Sequence, residues 1–487
     1  MNLDKDLLSI QEARDLANAA YKAQLVWGKA TQEQVDRVCS AMTEAAYQAS
    51  ERLGRIAHDE TGYGIAEHKK LKNEFASRFL WESIKDAKTV GVIGHDSKRQ
   101  IFEIAWPVGV IAALTPSTNP TSTVIAKAIC AVKARNAIVF APHPAAVRCS
   151  SETVKLLQQC AKEAGAPAGL ISCMENISLQ GTHELMSHKS VHLILATGGS
   201  AMVKAAHSVG KPAYGVGPGN VPAYVDRSAD LEKAARYIVA SKAFDHSTVC
   251  ASEQSIVADK PIAGKLAQLM QEQGAFFANE QITDILRELL FNPNGSINTT
   301  TVGKSPQFLA KLGGFDIPSN TRIIVVPLYR TGKEEPLSRE KLTTVVGWYE
   351  ENGWESGCAR SIELIHFGGR GHTLVIHATD PNVIMAFGLE KPVFRILVNT
   401  MGTLGAVGLT TGLMPSMTLG AGGEGGSITG DNVTVYHLFN IKRLAYEITQ
   451  PSEDIFINSN TNTNAGPTRQ EIEGIVRKAI QEILQKT

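Results

Sequence analysis

The chain has 487 residues, 43% hydrophobic and 20% charged, the make-up of a globular protein of two or three domains. Its 48 basic and 48 acidic residues cancel, so no net field draws it to nucleic acid or to an anionic membrane surface. No apolar run approaches the roughly 20 residues of a membrane span, and the start MNLDKDLLSIQEA lacks a basic segment followed by an apolar core, so no secretory signal is expected.

Residues 1–90 read as helices: in IQEARDLANAAYKAQLVWGKA apolar residues recur at three- and four-residue spacing. A more polar extended arm is expected near 99–107, in RQIFEIAWP, with a partner near 433–447, in VTVYHLFNIKRLAYE. From about 108 short apolar runs alternate with helical stretches. VGVIAALTP, NAIVFAP, VHLILAT, PAYVD, SEQSIVAD, RIIVVPL and HTLVIHATD each end at Pro, Thr or Asp or one residue after it, as buried strands do. The alternation predicts α/β domains with mainly parallel sheets and ligands beyond the carboxyl ends of the strands. No period of 20–50 residues repeats.

Seven cysteines, Cys39, Cys130, Cys149, Cys160, Cys173, Cys250 and Cys358, form no CxxC pair. Neither a zinc cluster nor a thioredoxin-like site is expected, and a reducing, cytoplasmic setting fits. Cys250 differs from the rest in its setting, FDHSTVCASEQ: it follows a helix and a polar loop and precedes a strand. A thiol there can be exposed enough to act as a nucleophile, although a lone Cys is more often a small buried residue.

Four further motifs follow, three of them with two readings. In LTPSTNPTS a strand ends at Thr115-Pro116, and Asn119 precedes Pro120. An Asn amide held there is a good oxyanion donor, yet Asn-Pro is also an ordinary turn. In LILATGGSAMVKAA, residues Thr197, Gly198 and Gly199 join a strand to a helix, either to admit a phosphate or as a plain turn. The glycines of YGVGPGNVP, Gly217 among them, suit a bend where backbone and ligand come close. Gly420, Gly422 and Gly425 match GxGxxG, but the residues after them have no helical pattern, so a dinucleotide fingerprint is rejected. A ligand-facing loop and a structural glycine turn both stay open.

Taken in order, TPSTNPTST, KARNAIVFAPHP, LILATGG, GKPAYGVGPGNVP, VCASEQS, EKL, GGRGHT and PSMTLG resemble the CoA-acylating branch of the aldehyde dehydrogenase superfamily, over roughly residues 5–448. The resemblance implies an α/β fold with a Rossmann-type cofactor domain at 1–226, including the arm, and an α/β catalytic thiol domain at 227–415. A return segment and oligomerisation arm at 416–448 then make a homodimer or homotetramer. It implies Cys250 as nucleophile and Asn119 as the oxyanion amide. Thr115, Pro116, Thr197, Gly198, Gly199, Gly217 and Glu340 form the cofactor set, with Glu340 on the nicotinamide ribose. His372 in GGRGHT matches a histidine of the acylating branch whose role is open. NAD is the expected nucleotide, with NADP left open, and CoA the cosubstrate. The aldehyde is short, acetaldehyde or propionaldehyde, with a substituted one such as sulfoacetaldehyde as the alternative, or else a free acid is released. No metal is expected.

Two departures bear on chemistry. The Gly-rich GVGPGN stands where hydrolytic relatives carry a Glu base, and His246-Ser247-Thr248 stands where Asn-Gly is usual. A Ser-, Asn- and Thr-rich linker is expected at 449–466, followed by an amphipathic helix within 467–487. There Thr468 and Glu471 make a T-x-x-E capping box, and Ile472, Ile475, Val476, Ala479, Ile480, Ile483 and Leu484 fall on one stripe. This tail resembles the encapsulation peptides that tether aldehyde dehydrogenases inside bacterial microcompartments, which implies a shell or cargo partner; an oligomer-packing helix is the alternative.

Overall fold

The computed structural model describes residues 4–452 and 468–484. They divide into two compact units, one of residues up to 93 with 105–442 and one of 94–104 with 443 onward.

The first unit opens with helices Lys5–Trp27, Gln32–Gln48, Ser50–Thr61 and Ala66–Glu74. Asp4 caps the first by accepting from Asp6 N–H at 2.8 Å, and Thr31 with Gln34 forms a full capping box on the second. Ala13, Ala17 and Ala20 fall on one helical face and are fully buried, small enough for close packing. After Glu74 the helix loosens into a π-turn, Phe75–Phe79, before resuming at Leu80–Ile84.

A five-stranded parallel sheet runs in the order Ile171–Cys173, Ala137–Pro142, Val110–Thr115, Val191–Thr197, Ala213–Val216. From Val110–Thr115 the chain first builds outward to one side, then returns to pair Val191–Thr197 on the other. That reversal opens a crevice at the carboxyl ends of these two strands, the usual place for a nucleotide. Buried Lys127 ties the two ends together, its Nζ donating to Leu114 O at 2.9 Å and Leu195 O at 3.0 Å.

A seven-stranded parallel sheet runs in the order Ala275–Phe277, Ile323–Pro327, Val345–Glu351, Glu253–Asp259, Val221–Val225, Leu374–His377, Ile396–Val398. Strand Val221–Val225 belongs to this sheet, so by sheet membership the domain change expected after 226 comes one strand earlier. Residues that precede adjacent parallel strands are neighbours in space. Gly219, Cys250, Glu340 and His372 each lie two to five positions ahead of one of four adjacent strands, and so gather at one edge of the sheet. Ligands were expected beyond carboxyl ends, and Pro116 and Thr197–Gly199 do stand at the carboxyl ends of the first sheet; in the second, the thiol stands at the amino edge.

In the second unit lie the ends of a three-stranded sheet, ordered Gly91–Asp96, Ile101–Pro107, Phe439–Ala445. The arm expected near 99–107 and its partner near 433–447 are the last two of these; Gly91–Asp96 was not foreseen. His95 stacks on Phe102 at 4.0 Å, and Arg443 meets Glu103 at 3.6 Å. This unit also holds helix Arg469–Leu484. Glu471 accepts from Thr468 N–H at 2.7 Å, one half of the expected capping box, and Ile472, Ile475 and Val476 are exposed. Most of the expected linker lies outside the described residues. No described helix is long and apolar enough to cross a membrane.

Candidate active site

The carboxyl edge of the first sheet and the amino edge of the second border a cleft of about 330 Å³. Eight of the residues expected at a site line it: Pro116, Asn119, Thr197, Gly198, Gly199, Gly217, Cys250 and Glu340. Two do not. Thr115 is fully buried as the last residue of its strand, and His372 is buried beside the cleft.

Cys250 owes its place to a strained turn. Asp245, His246 and Ser247 all take left-handed φ, 48°, 48° and 65°. Asn or Gly adopts that conformation cheaply; a His or Ser does so only when neighbours hold it. The holds are visible: Asp245 N–H donates to His68 Nδ1 at 2.8 Å, His246 Nδ1 lies 3.1 Å from Gly303 O, and Ser247 Oγ accepts from Lys242 Nζ at 2.9 Å. The departure from Asn-Gly is thus compensated by surrounding contacts. The half-buried thiol has its pKa pushed up to about 12, chiefly by burial and then by the Glu340 carboxylate, while buried Arg395 pulls the other way. Burial and the neighbouring carboxylate thus both disfavour the thiolate in the free protein.

Asn119 immediately precedes helix Pro120–Lys133. Its Nδ2 donates to Thr248 O at 3.0 Å and Thr118 Oγ1 at 3.1 Å, and its Oδ1 accepts from Lys72 Nζ at 2.5 Å. Lys72 is itself bonded to Asp245, which also accepts from Lys69 Nζ at 3.1 Å and Thr248 Oγ1 at 2.5 Å. Burial works to raise the Asp245 pKa, but the two ammonium groups outweigh it and hold the carboxyl below the usual carboxylate range. Burial lowers Lys72 to about 8 in spite of Asp245. Sequence reasoning missed this buried Lys69–Asp245–Lys72 group. The spacing of two lysines one helical turn apart in HKKLKNE was its only trace, and such spacing usually marks a solvated face.

Glu340 Oε1 accepts from Gly219 N–H at 3.0 Å, and burial raises its pKa to about 7. Position 219 admits only glycine: a Cβ there would stand 2.1 Å from Cys250 O and 3.2 Å from His372 Cε1. His372 thus packs behind the turn that carries Glu340's partner. Its Nδ1 lies 2.9 Å from Thr373 Oγ1, its Nε2 has no partner, and burial with the nearby Arg395 lowers its pKa to about 3, so the ring is neutral.

Arg395 also decides the reading of the GxGxxG run. Its guanidinium donates to Gly420 O and, at 2.9 Å, to Gly430 O. A Cβ at Gly422 would strike the Phe394 ring at 2.2 Å, and one at Gly425 would meet Arg370 O at 2.6 Å. The run is a packed structural turn.

The cleft's other wall suits a dinucleotide. Thr197 Oγ1 is buried without a partner just before helix Ser200–Ser208, whose first N–H groups follow Gly198 and Gly199. Glu340 spends only one of its oxygens on protein, leaving the second for a diol.

A model of the aldehyde dehydrogenase family matches residues 7–277. Aldehyde-alcohol dehydrogenase 2 of Entamoeba histolytica is 40% identical over 424 residues, 85% of this chain and 49% of that protein. The chain thus spans about half the length of the first curated relatives it matches. The crystal structure of an acetylating aldehyde dehydrogenase from Geobacillus thermoglucosidasius is 48% identical, with a TM-score of 0.91 over 92% of this chain and 99% of that one. A propionaldehyde dehydrogenase from the Clostridium phytofermentans fucose utilisation bacterial microcompartment is 29% identical, with a TM-score of 0.81 over 89% and 97%.

Proposed function

The chain belongs to the aldehyde dehydrogenase family, and from that premise we propose that it oxidises an aliphatic aldehyde with NAD and CoA to acyl-CoA and NADH through a thioester on Cys250. The observation that carries the reading is the meeting of Cys250 and the Asn119 amide in one cleft with the Thr197–Gly199 turn and Glu340.

In the first half-reaction the Cys250 Sγ, once deprotonated, bonds to the aldehyde carbon, and the carbonyl π pair moves onto oxygen. Asn119 Nδ2 turns one N–H from its resting acceptor to that oxyanion. Thr197, Gly198 and Gly199 with the following helix N-terminus would hold the dinucleotide phosphates, and Glu340 would hold the nicotinamide ribose. NAD, when bound, would supply the hydride acceptor for the oxidation, and Cys250 would then carry the acyl group as a thioester. In the second half-reaction the CoA thiolate adds to the thioester carbon, the carbonyl re-forms, and the Cys250 thiolate leaves. Gly217 and Pro218 of the Gly217–Gly219 loop face the cleft with no side chain able to activate water, which favours a thiol as acyl acceptor over hydrolysis. His372 backs the Gly219 turn and so steadies Glu340.

The exposed apolar residues of the arm, Ile441, Leu444, Tyr446 and Ile448, suit a homodimer or homotetramer contact. The tail helix suits docking to a microcompartment shell or to neighbouring cargo, the setting of one relative.

The test is NADH formation by the purified protein with acetaldehyde and propionaldehyde, with and without CoA, and with NADP in place of NAD. Strict dependence on CoA with acyl-CoA as product supports the reading. Equal rates without CoA and a free acid as product would make it a hydrolytic enzyme.

A further inference from the structure

Away from the cleft, one cysteine has an ammonium group at its sulfur. Cys358 sits in helix Trp354–Gly368, and Lys391 follows directly on helix Pro381–Glu390. Lys391 Nζ donates to Cys358 Sγ, and the thiol in turn donates to Glu390 Oε2 at 3.3 Å. The ammonium also stands 4.0 Å from the centre of the Phe387 ring. The other sulfurs with a hydrogen bond among the described residues, those of Cys39, Cys149 and Cys173, donate to backbone carbonyls. One buried side chain, Tyr224, holds both elements that carry the pair. Its ring stacks on Phe387 at 4.7 Å, and a Cβ at Gly357 would strike it at 2.3 Å. Packing on both sides therefore keeps nitrogen and sulfur together. Cys358 and Lys391 are buried, while Glu390 is exposed. A small reagent has a short path past that carboxylate; a bulky one does not.

We propose that Cys358 and Lys391 form a reversible oxidation site, at which a hydroperoxide joins the two side chains by a sulfur–nitrogen bond. The site is independent of the reaction at Cys250. A thiol and an amine are both nucleophiles, so they bond only after one of them is oxidised. In the first step the Cys358 sulfur gives an electron pair to one oxygen of hydrogen peroxide. The O–O bond breaks, leaving a sulfenic acid on Cys358 and one water. Burial raises the Cys358 pKa, and Lys391 pulls it back toward the reactive thiolate. In the second step Lys391 gives its ammonium proton to solvent and its nitrogen attacks the sulfur. The S–N bond forms, the S–O bond breaks, and the hydroxyl leaves as water with a second proton from nitrogen. Sulfur has then lost two electrons, the peroxide has gained them, and nitrogen keeps its oxidation state. A thiol such as dithiothreitol reverses the link by attacking the sulfur and releasing the amine. Capture by Lys391 thus spares the sulfenic acid from a second peroxide, which would carry it to the irreversible sulfinic acid.

The experiment treats the full chain with hydrogen peroxide, digests it with trypsin without reductant and reads the peptides by mass spectrometry. Trypsin leaves Cys358 in peptide 342–360 and Lys391 in peptide 371–395, because the bond before Pro392 resists cleavage. The proposal expects these two peptides as one linked species, lighter than their sum by two hydrogen atoms. It should be absent before peroxide and lost after dithiothreitol. Lys391→Arg keeps the positive charge but not the nucleophilic amine. There the link should vanish, and dimedone, which traps sulfenic acids, should label Cys358 several-fold more than in the natural protein. Two results would overturn the proposal. One is a natural protein whose Cys358 stays reduced at a peroxide concentration that oxidises half-buried Cys160. The other is a Cys358 that ends as sulfinic acid or as the dimedone adduct in equal yield in both proteins, since the amine would then capture nothing.

Discussion

Lys72 Nζ lies 2.5 Å from Asn119 Oδ1, which fixes the amide so that its nitrogen, not its oxygen, is the end turned toward Thr248 and the cleft. An amide free to flip would present an acceptor to a developing oxyanion half of the time. Asn119→Ala should therefore lower kcat about 10²–10³-fold, the usual cost of one oxyanion donor, and Lys72→Met should lower it about tenfold or more with little change in aldehyde KM. Because the lysine acts through the amide, the double variant should be no slower than Asn119→Ala alone. Losses that multiply would show that the two act separately.

Cys250→Ala should abolish acyl-CoA formation and leave NAD binding, followed by NADH fluorescence titration, nearly intact. A variant keeping a tenth of natural turnover would remove Cys250 as the nucleophile.

The raised thiol pKa has its own readout. A thiol pushed up to about 12 is almost wholly protonated at pH 8, where an ordinary cysteine is partly ionised. Iodoacetamide should therefore label Cys250 slowly at pH 8, after subtraction of the Cys250→Ala background from half-buried Cys160 and Cys173. Labelling should still be rising steeply at pH 10. A positive nicotinamide ring bound in the same cleft would favour the thiolate, so saturating NAD should accelerate labelling at pH 8. A free-protein profile that levels off below pH 9 would mean that the cleft does not disfavour the thiolate.

Asp245 is the sole carboxylate between two buried ammonium groups. Asp245→Asn leaves Lys69 and Lys72 facing each other without a counter-charge, and breaking such a pair costs about 3–5 kcal/mol. Urea denaturation should show that loss at neutral pH. With the folded-state pKa held below the usual range, the carboxylate's contribution is complete above that range and is lost progressively as pH falls from there through the lower folded-state pKa. The deficit of the variant should therefore shrink in acid. A deficit under 1 kcal/mol at pH 7 would mean that the lysines shed their protons at little cost.

The legible parts of the molecule are those written in local pattern. VGVIAALTP, NAIVFAP, VHLILAT, PAYVD, SEQSIVAD, RIIVVPL and HTLVIHATD all contain strands, because fully buried parallel strands are continuous apolar runs. Short strands of three or four residues, such as Ile171–Cys173 and Ile396–Val398, leave too little pattern to read. Val345–Glu351, in VVGWYEE, breaks the apolar run with a Gly and two acids. Asn119 and Cys250 were readable from their motifs, yet what aims them was not. Lys69, Lys72 and Asp245 are joined across more than 170 positions, and a charged residue's sequence neighbours do not say that it is buried. The same holds for the two faces of the cleft: periodicity located the strands, but only their pairing put the amino edge of one sheet opposite the carboxyl edge of the other.

The tail gives the last prediction. Helix Arg469–Leu484 leaves Ile472, Ile475 and Val476 exposed to solvent at 49%, 64% and 50% among the described residues. None of these residues is among those expected at the catalytic site. An enzyme truncated after residue 450 should therefore keep its kcat and its oligomeric state, which size-exclusion chromatography with light scattering would report. Residues 450–487 fused to a fluorescent protein should collect in puncta in cells that make the shell, since an apolar helical stripe finds its partner in a groove. Replacing Ile472, Ile475 and Val476 by Asp should return that fluorescence to the cytoplasm while the helix itself persists. Diffuse fluorescence from the natural tail, together with a truncated enzyme that falls apart into inactive protomers, would make the stripe a packing surface between copies of the chain and remove its targeting role.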